Sequence, residues 1–281
     1  MDTVCRGKQW DVALAYDTQG NITAALPYLI GSKMGLRFVV QPQLTQYNGP
    51  WYRPNCDILE ATHQLQQQIR KLHLALFLQN FAPGVAPDNY WNGFSCSPRP
   101  TYRIDDISDP DQVFANFDKR KRQRAIRNAA EVLHIDDTLT PDFFAQFHAN
   151  YWQSRGSQDL LSQDFITSIV ATAINRGQGI LIGARGDNGT LHGARFVAFD
   201  SHCAYALLSA LNPQGHHNGT SPFLFWEIIQ RLSTQTQSFD FEGSTDPGIA
   251  YSYSLYGSHP ATYHQVFRSP IPFIKKILKI S

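Results

Sequence analysis

The spacing of apolar and polar residues predicts a succession of strands and helices in the second half of the chain. Three apolar runs separated by short turns, the first turn being Asp187-Asn188-Gly189, predict an antiparallel meander. Strands are expected at 179–186, 191–200, 202–211, 238–243 and 261–268. Capping residues, prolines and apolar periodicity predict helices at 118–133, 140–155, 162–176, 222–235 and 247–256.

The first half shows the same order in reduced form. Strands are expected at 12–16, 22–30, 36–41 and 72–79, with a Gln-rich helix at 57–71 between the last two. This repetition favours an internal duplication, although common hairpin turns are an alternative explanation. The fold class expected is α+β with a mixed sheet, in two lobes of which the C-terminal one is more complete. We place the boundary near residue 105, in a loop at 95–100 and an acidic connector at 105–111, so the lobes are 1–105 and 106–281.

Composition narrows the classes of partner. The 281 residues include 24 Lys and Arg against 23 Asp and Glu, so the net charge of +1 disfavours DNA binding and gives tRNA binding no support. Six of the positive charges lie in 119–127, which contains no acid. A single phosphate-bearing ligand therefore remains compatible with the charge pattern.

The cysteines and the N-terminus predict a cytoplasmic chain. Cys5, Cys56, Cys96 and Cys203 lack paired spacing and are expected to be free thiols. We expect no metal site, no signal peptide and no transmembrane segment.

A glycine-containing loop runs into the helix at 222–235. Glycine before a helix N-terminus lets a phosphate approach unpaired backbone N–H groups, which predicts donor binding here. The alternative is an ordinary capped loop. The donor-binding candidates are His216, Asn218, Gly219, Thr220 and Ser221.

Two acids in the strand at 238–243 are the candidate base. Alternation in a strand places Asp240 and Glu242 on one face and Phe239 and Phe241 on the other. Adjacent carboxylates raise one pKa, which suits a base for an incoming amine. The alternative is an ion pair between one acid and an arginine of 119–127.

Aromatic and basic side chains supply candidates for acceptor binding. Aromatic platforms with a few polar groups suit a small-molecule pocket, and a pair of arginines three residues apart suits an anion. Ordered turns, a solvated helix face and interlobe salt bridges are the alternatives. The candidates are Tyr47, Trp51, Tyr52, Arg53, Trp91, Arg124 and Arg127.

The order meander, loop, helix, strand, helix, strand resembles the GNAT acyltransferase fold. The loop sequence 216–221 is similar to the family motif R/Q-x-x-G-x-G/A, with Gly219 in place but His216 and Ser221 departing from it. The spacing Tyr253 to Gly257 resembles a family motif that places a tyrosine near the donor sulfur, which makes Tyr253 a candidate acid; simple aromatic packing is the alternative. The segments 41–52, 90–94, 126–129 and 239–244 resemble FemAB-like GNAT proteins, which include the bacterial Fem-type peptidyltransferases and cellulose-biosynthesis-type acetyltransferase domains.

The resemblance implies an N-acyltransferase with no permanently bound cofactor. It would move an acyl group from acyl-CoA, or an aminoacyl group from aminoacyl-tRNA, to an amine on a sugar or peptide, including lipid- or nucleotide-linked acceptors, in cell-envelope or polysaccharide synthesis. The altered loop keeps open a second interpretation, a degenerate GNAT fold that only binds a ligand or a protein.

Overall fold

The chain forms two compact units in the computed structural model, which describes residues 2–5, 7–85, 91–157, 161–243 and 245–274. Unit 1 comprises Met1–Pro100 and Ala261–Ser281, and unit 2 comprises Thr101–Pro260. Both combine helices with a mixed sheet, which confirms the predicted fold class.

Unit 1 contains a meander, one long helix and a returning strand. Its sheet order is β1-β2-β3-β5-β12, antiparallel except for the parallel pair β3 and β5. The short β4 pairs with β2. The elements are α1 Asp2–Cys5, β1 Gln9–Tyr16, β2 Ile22–Lys33, β3 Leu36–Val40, β4 Trp51–Tyr52, α2 Ile58–Lys71, β5 Leu76–Phe81 and, mostly within this unit, β12 His259–Arg268.

Unit 2 repeats this plan with more helices. Its strands run in the order β6-β11-β10-β9-β8-β7, and β10 and β11 are the parallel pair. The strands are β6 Ser95–Ile104, β7 Leu133–Asp136, β8 Gly179–Gly186, β9 Leu191–Phe199, β10 Cys203–Leu211 and β11 Ser238–Asp240. The helices are α3 Pro110–Asn116, a π-helix Lys119–Gln123, α4 Arg124–Ala130, α5 Pro141–Ser154, α6 Gln163–Asn175, α7 Thr220–Leu232 and α8 Pro247–Ser254.

Several boundaries differ from the sequence-based expectation. The loop expected at 95–100 is the first half of β6, a strand that Pro98 and Pro100 disguise because proline is rare in strands. The acidic connector holds α3, and the helix expected at 118–133 is a π-helix followed by α4. The strand expected at 238–243 ends at Asp240.

The last strand changes the division into lobes. The C-terminal lobe was expected to extend to residue 281, but β12 pairs with β5 and belongs mainly to unit 1. Conversely, the end of β6 pairs with β11 in unit 2 through Ile104 and Arg103. The expected boundary at 105 lies close to the observed one at Pro100, while the assignment of 261–281 differs.

The Gln-rich helix α2 covers the edge of the unit 1 sheet. Gln64 accepts a hydrogen bond from the Tyr16 N–H at 2.9 Å and donates to the Tyr16 carbonyl at 3.1 Å. Gln68 makes the same pair of bonds with Leu14. The side chains thus take the place of a neighbouring strand, which protects an otherwise open edge.

The unit 2 core lies beneath α7. Seven residues of this helix are buried, and aromatic rings from β11 and the segment after it pack edge-to-face against Phe225. Phe239 and Phe241 are both fully buried in this core. Burial of both rings fixes where the chain turns after β11, and therefore fixes the two acids.

Candidate functional site

Strands β10 and β11 separate at the position of the two acids. Their parallel pairing covers only Cys203–Tyr205 against Ser238–Asp240. Beyond Tyr205 the register of β10 with β9 shifts, and β10 continues to Leu211 while β11 has ended. Within the described residues, the far half of β10 is therefore hydrogen-bonded only on its β9 side.

Asp240 is the buried member of the acid pair. It is fully buried, and its carboxylate accepts a hydrogen bond from the Thr101 hydroxyl at 2.5 Å. It also accepts the Glu242 N–H at 2.8 Å. Asp240 thereby holds the turn that carries Glu242.

Glu242 has the properties expected of a base. Its backbone is left-handed, with φ at 61°, a strained conformation for glutamate that occurs preferentially at functional sites. Burial, followed by the charge of Asp240, raises the pKa of the Glu242 carboxyl to about 8. Both acids were expected to project from one strand, but Glu242 lies beyond the strand in a turn. Ser244, at the end of this motif, lies outside the described residues.

Tyr253 lies beside the acid pair. Its ring stacks on Phe241 with centroids 5.1 Å apart. Burial raises the pKa of the Tyr253 phenol, Arg195 opposes that shift, and Glu242 and Asp240 add to it. The phenol therefore stays protonated at neutral pH and can donate a hydrogen bond.

Arg195 is the residue that sequence reasoning missed. It lies in β9, only 6% exposed, with its guanidinium carbon 3.4 Å from the centroid of the Phe225 ring. It donates to the Ser221 hydroxyl at 3.2 Å, and burial lowers its pKa to about 10, so it remains charged at neutral pH. The available signal was an arginine within the apolar run 191–200, where charged side chains are rarely buried unless paired.

The start of α7 is partly occupied by the chain itself. Gly219, with φ at 78°, precedes the helix, and a Cβ there would lie 2.7 Å from the Ala125 carbonyl oxygen. The Asn218 side chain accepts hydrogen bonds from the Thr220 N–H and hydroxyl, at 3.3 and 2.6 Å. The loop also lines a cavity of about 710 Å³ with Gln214, His217 and Asn218.

His216 stands apart from the helix start. It is exposed and stacks on Tyr151, with centroids 5.9 Å apart. Burial, Arg155 and His217 lower its pKa, so the imidazole is neutral at pH 7. Its position in the motif does not supply the positive charge of the arginine found in other family members.

The acceptor candidates of unit 1 occupy different environments. Trp91 is buried in the core against Phe81, 4.8 Å between centroids, so its expected role as a pocket platform is corrected to a packing role. The Tyr52 hydroxyl hydrogen-bonds to that of Thr62 at 2.7 Å.

The remaining unit 1 candidates lie nearer the surface. Arg53 lines a cavity of about 290 Å³ and pairs with Asp17 at 3.5 Å. Trp51 is exposed, and the Tyr47 ring lies 5.9 Å from that of Tyr263. Tyr90, in the motif 90–94, lies outside the described residues.

The basic segment contacts α8 rather than presenting a simple charged face. Arg122 donates to the Ser252 hydroxyl and carbonyl at 2.7 and 2.9 Å. Arg124 and Arg127 are exposed, and Arg127 donates to Gln123 at 3.3 Å. In the described part of the chain, no group of three His, Cys, Asp or Glu residues could hold a metal ion, and no helix is long and apolar enough to cross a membrane.

Comparison with known proteins adds a family to this geometry. The model of the acetyltransferase (GNAT) domain matches residues 115–251, which include Arg195, Asp240 and Glu242. Residues 115–251 are a GNAT acetyltransferase domain. The protein is therefore an acyltransferase, as the resemblance implied. No curated protein matches the chain.

Solved structures share the fold of the whole chain at low identity. FemX superimposes with a TM-score of 0.72 at 10% identity, over 92% of this chain and 88% of that one. A tandem GNAT protein from the clavulanic acid biosynthesis pathway gives 0.58 at 14% identity, over 92% and 82%. L-PGS from Bacillus licheniformis gives 0.58 at 11%, over 96% and 87%. These similarities and the domain match confirm the FemAB-like GNAT resemblance of the sequence.

Proposed function

We propose that the GNAT domain catalyses N-acylation, with Glu242 as the base that accepts the proton of the incoming amine. The observation that carries this is the Glu242 carboxyl, whose pKa is raised to about 8 and which sits where β10 and β11 separate. A base with a pKa near the working pH is suited to proton transfer.

In the proposed reaction, an acyl thioester lies along the open side of β10. The amine nitrogen attacks the thioester carbonyl, and the new C–N bond forms as the C–S bond breaks. Glu242 takes the ammonium proton, and the Tyr253 hydroxyl donates a hydrogen bond to the departing sulfur, which leaves as a thiol. Alignment of the two reactants supplies much of the acceleration.

We propose acyl-CoA as the first candidate donor. The cavity of about 710 Å³ beside the loop offers space for its nucleotide end. Aminoacyl-tRNA is the second candidate, because the Asn218 side chain already occupies the Thr220 N–H that a coenzyme pyrophosphate would use.

The acceptor proposed is an amine on a sugar or peptide of the cell envelope or of a polysaccharide. The fold shared with FemX and with L-PGS supports this class of acceptor. Exposed Trp51 and the cavity at Arg53 are the unit 1 features we propose for holding it.

The test is acyl transfer with both donors against a pool of amino sugars and amine-bearing peptides. Glu242→Gln should lower turnover about 10²- to 10⁴-fold, the usual contribution of a positioned base. Glu131→Gln, a change of an exposed glutamate in the same domain, should leave turnover unchanged. Undiminished turnover by folded Glu242→Gln would refute the assignment of the base.

A further inference from the structure

Two arginines of unit 2 carry buried donors that lack partners. The Nε atoms of Arg122 and Arg195 are inaccessible to solvent and have no hydrogen-bond partner among the described residues. Each such N–H loses its bond to water without replacing it, which is costly for a charged group. The cost is repaid if a ligand accepts these bonds.

The two guanidinium groups act on one ring. The guanidinium carbon of Arg122 lies 4.5 Å from the centroid of the Tyr256 ring. Burial raises the pKa of the Tyr256 phenol to about 12, and Arg122 and Arg195 both oppose this shift. Tyr256 therefore lies within electrostatic reach of both cations.

Ser221 connects this pair to the start of α7. Its hydroxyl accepts from Arg195 at 3.2 Å and interacts with the Tyr256 phenol. The cationic pair thus adjoins the first turn of the helix at which the donor was expected.

The charge of the pair is uncompensated. Neither Arg122 nor Arg195 belongs to an ion pair within the described part of the chain. The partners observed are Ser221, Ser252, the backbone, and the faces of Phe225 and Tyr256. Buried charges in proteins are normally paired, so the arrangement is typical of a site that receives an anion.

We propose that Arg122 and Arg195 form a phosphate-binding subsite beside the first turn of α7. A phosphate group carries about −1.5 to −2 at neutral pH and matches two guanidinium cations better than a single carboxylate does. Half-buried Arg122 gives the approach from solvent. The phosphate belongs to the donor or to the acceptor of the proposed transfer, so its source rests on the proposed function, while the subsite itself does not.

The first test measures binding of inorganic pyrophosphate to the full chain by titration calorimetry. Wild-type protein should bind it saturably, and Arg122→Gln and Arg195→Gln should each weaken binding about 10- to 100-fold, the loss expected for hydrogen bonds to a charged group. Arg120→Gln removes an exposed charge from the same π-helix and should change affinity less than about twofold. Absence of binding to wild-type protein, or equal loss in Arg120→Gln, would overturn the subsite.

Two further arms separate this result from the fate of the proposed function. Glu242→Gln should bind pyrophosphate like the wild type even though it does not turn over. If Arg195→Gln does not fold, Arg195→Lys retains the charge without the planar fork and should still weaken binding, while Arg122→Gln tests the subsite independently. Full pyrophosphate affinity in both folded variants would refute the proposal.

Competition identifies the source of the phosphate. Pyrophosphate that raises the KM for acyl-CoA and leaves the KM for the amine unchanged supports a donor phosphate in the subsite. The reverse pattern supports an acceptor phosphate. Inhibition by pyrophosphate that persists unchanged in both arginine variants would show that the anion acts elsewhere, against the proposal.

Discussion

Units 1 and 2 place a helix after a three-stranded meander, yet the two helices begin differently. In unit 1 the Asp57 side chain caps α2 and accepts the Glu60 N–H at 3.1 Å. In unit 2 Gly219 precedes α7 without a side-chain cap of its own. A carboxylate at the helix start repels an anionic ligand, whereas a glycine leaves the backbone approachable.

The buried polar residues differ in the same direction. Those of unit 1 are uncharged among the described residues, whereas unit 2 buries Arg195 and Asp240. Unit 1 therefore spends its interior on packing and on edge protection by Gln64 and Gln68. A repeated succession of elements is thus compatible with one unit that carries the acyl-transfer chemistry and another that does not.

The largest predicted effect on stability tests the close packing at the start of α7. Gly219→Ala places a methyl group against the Ala125 carbonyl, while Gly189→Ala, with φ at 77°, meets no atom within 4 Å. Both pay about 1–2 kcal/mol for a left-handed alanine. Gly219→Ala should lose about 1–3 kcal/mol more through overpacking, measured as the free energy of unfolding in urea. Equal losses would show that α4 does not fix the helix start.

The next prediction uses the charge buried in unit 2. Glu242 ionises in the unfolded chain near its ordinary pKa of 4.5 but in the folded chain only near 8. The unfolded state therefore binds fewer protons between these values, so this group's contribution to stability is complete below pH 4.5 and is lost as the pH rises towards 8.

Glu242→Gln should accordingly flatten the fall in unfolding free energy between pH 4.5 and 8. Glu131→Gln should retain the wild-type slope, because that glutamate is exposed. The measurement is urea unfolding at a series of pH values. An unchanged slope in Glu242→Gln would contradict the raised pKa and weaken the case for this residue as the base.

Local patterns predicted most of the helices and the central meander because their signals lie within each segment. Pro141 after Thr140 and Pro247 after Asp246 mark two helix starts that the structure confirms. The sequence did not predict β6, whose prolines disguise it, or the exchange of final strands between the units. Strand pairing depends on contacts between distant residues, and such contacts leave little trace in one segment.

The site shows the same limit. Asp240 and Glu242 attracted notice through their spacing, but the turn that separates them depends on burial of Phe241 in a core assembled from α7 and α8. Arg195 carries no motif of its own. Its significance comes from Ser221 and Tyr256, which are near it in space and distant in sequence.

The smallest predicted effect returns to the start of α2. Asp57→Ala should lower the free energy of unfolding by about 1 kcal/mol, since the Glu60 N–H loses its acceptor. Asp57→Asn keeps the cap and should lose less. Pyrophosphate affinity should remain unchanged in Asp57→Ala, because a helix start freed of its carboxylate still lacks the buried arginines of unit 2. A gain of pyrophosphate binding there would show that the cap alone distinguishes the two units.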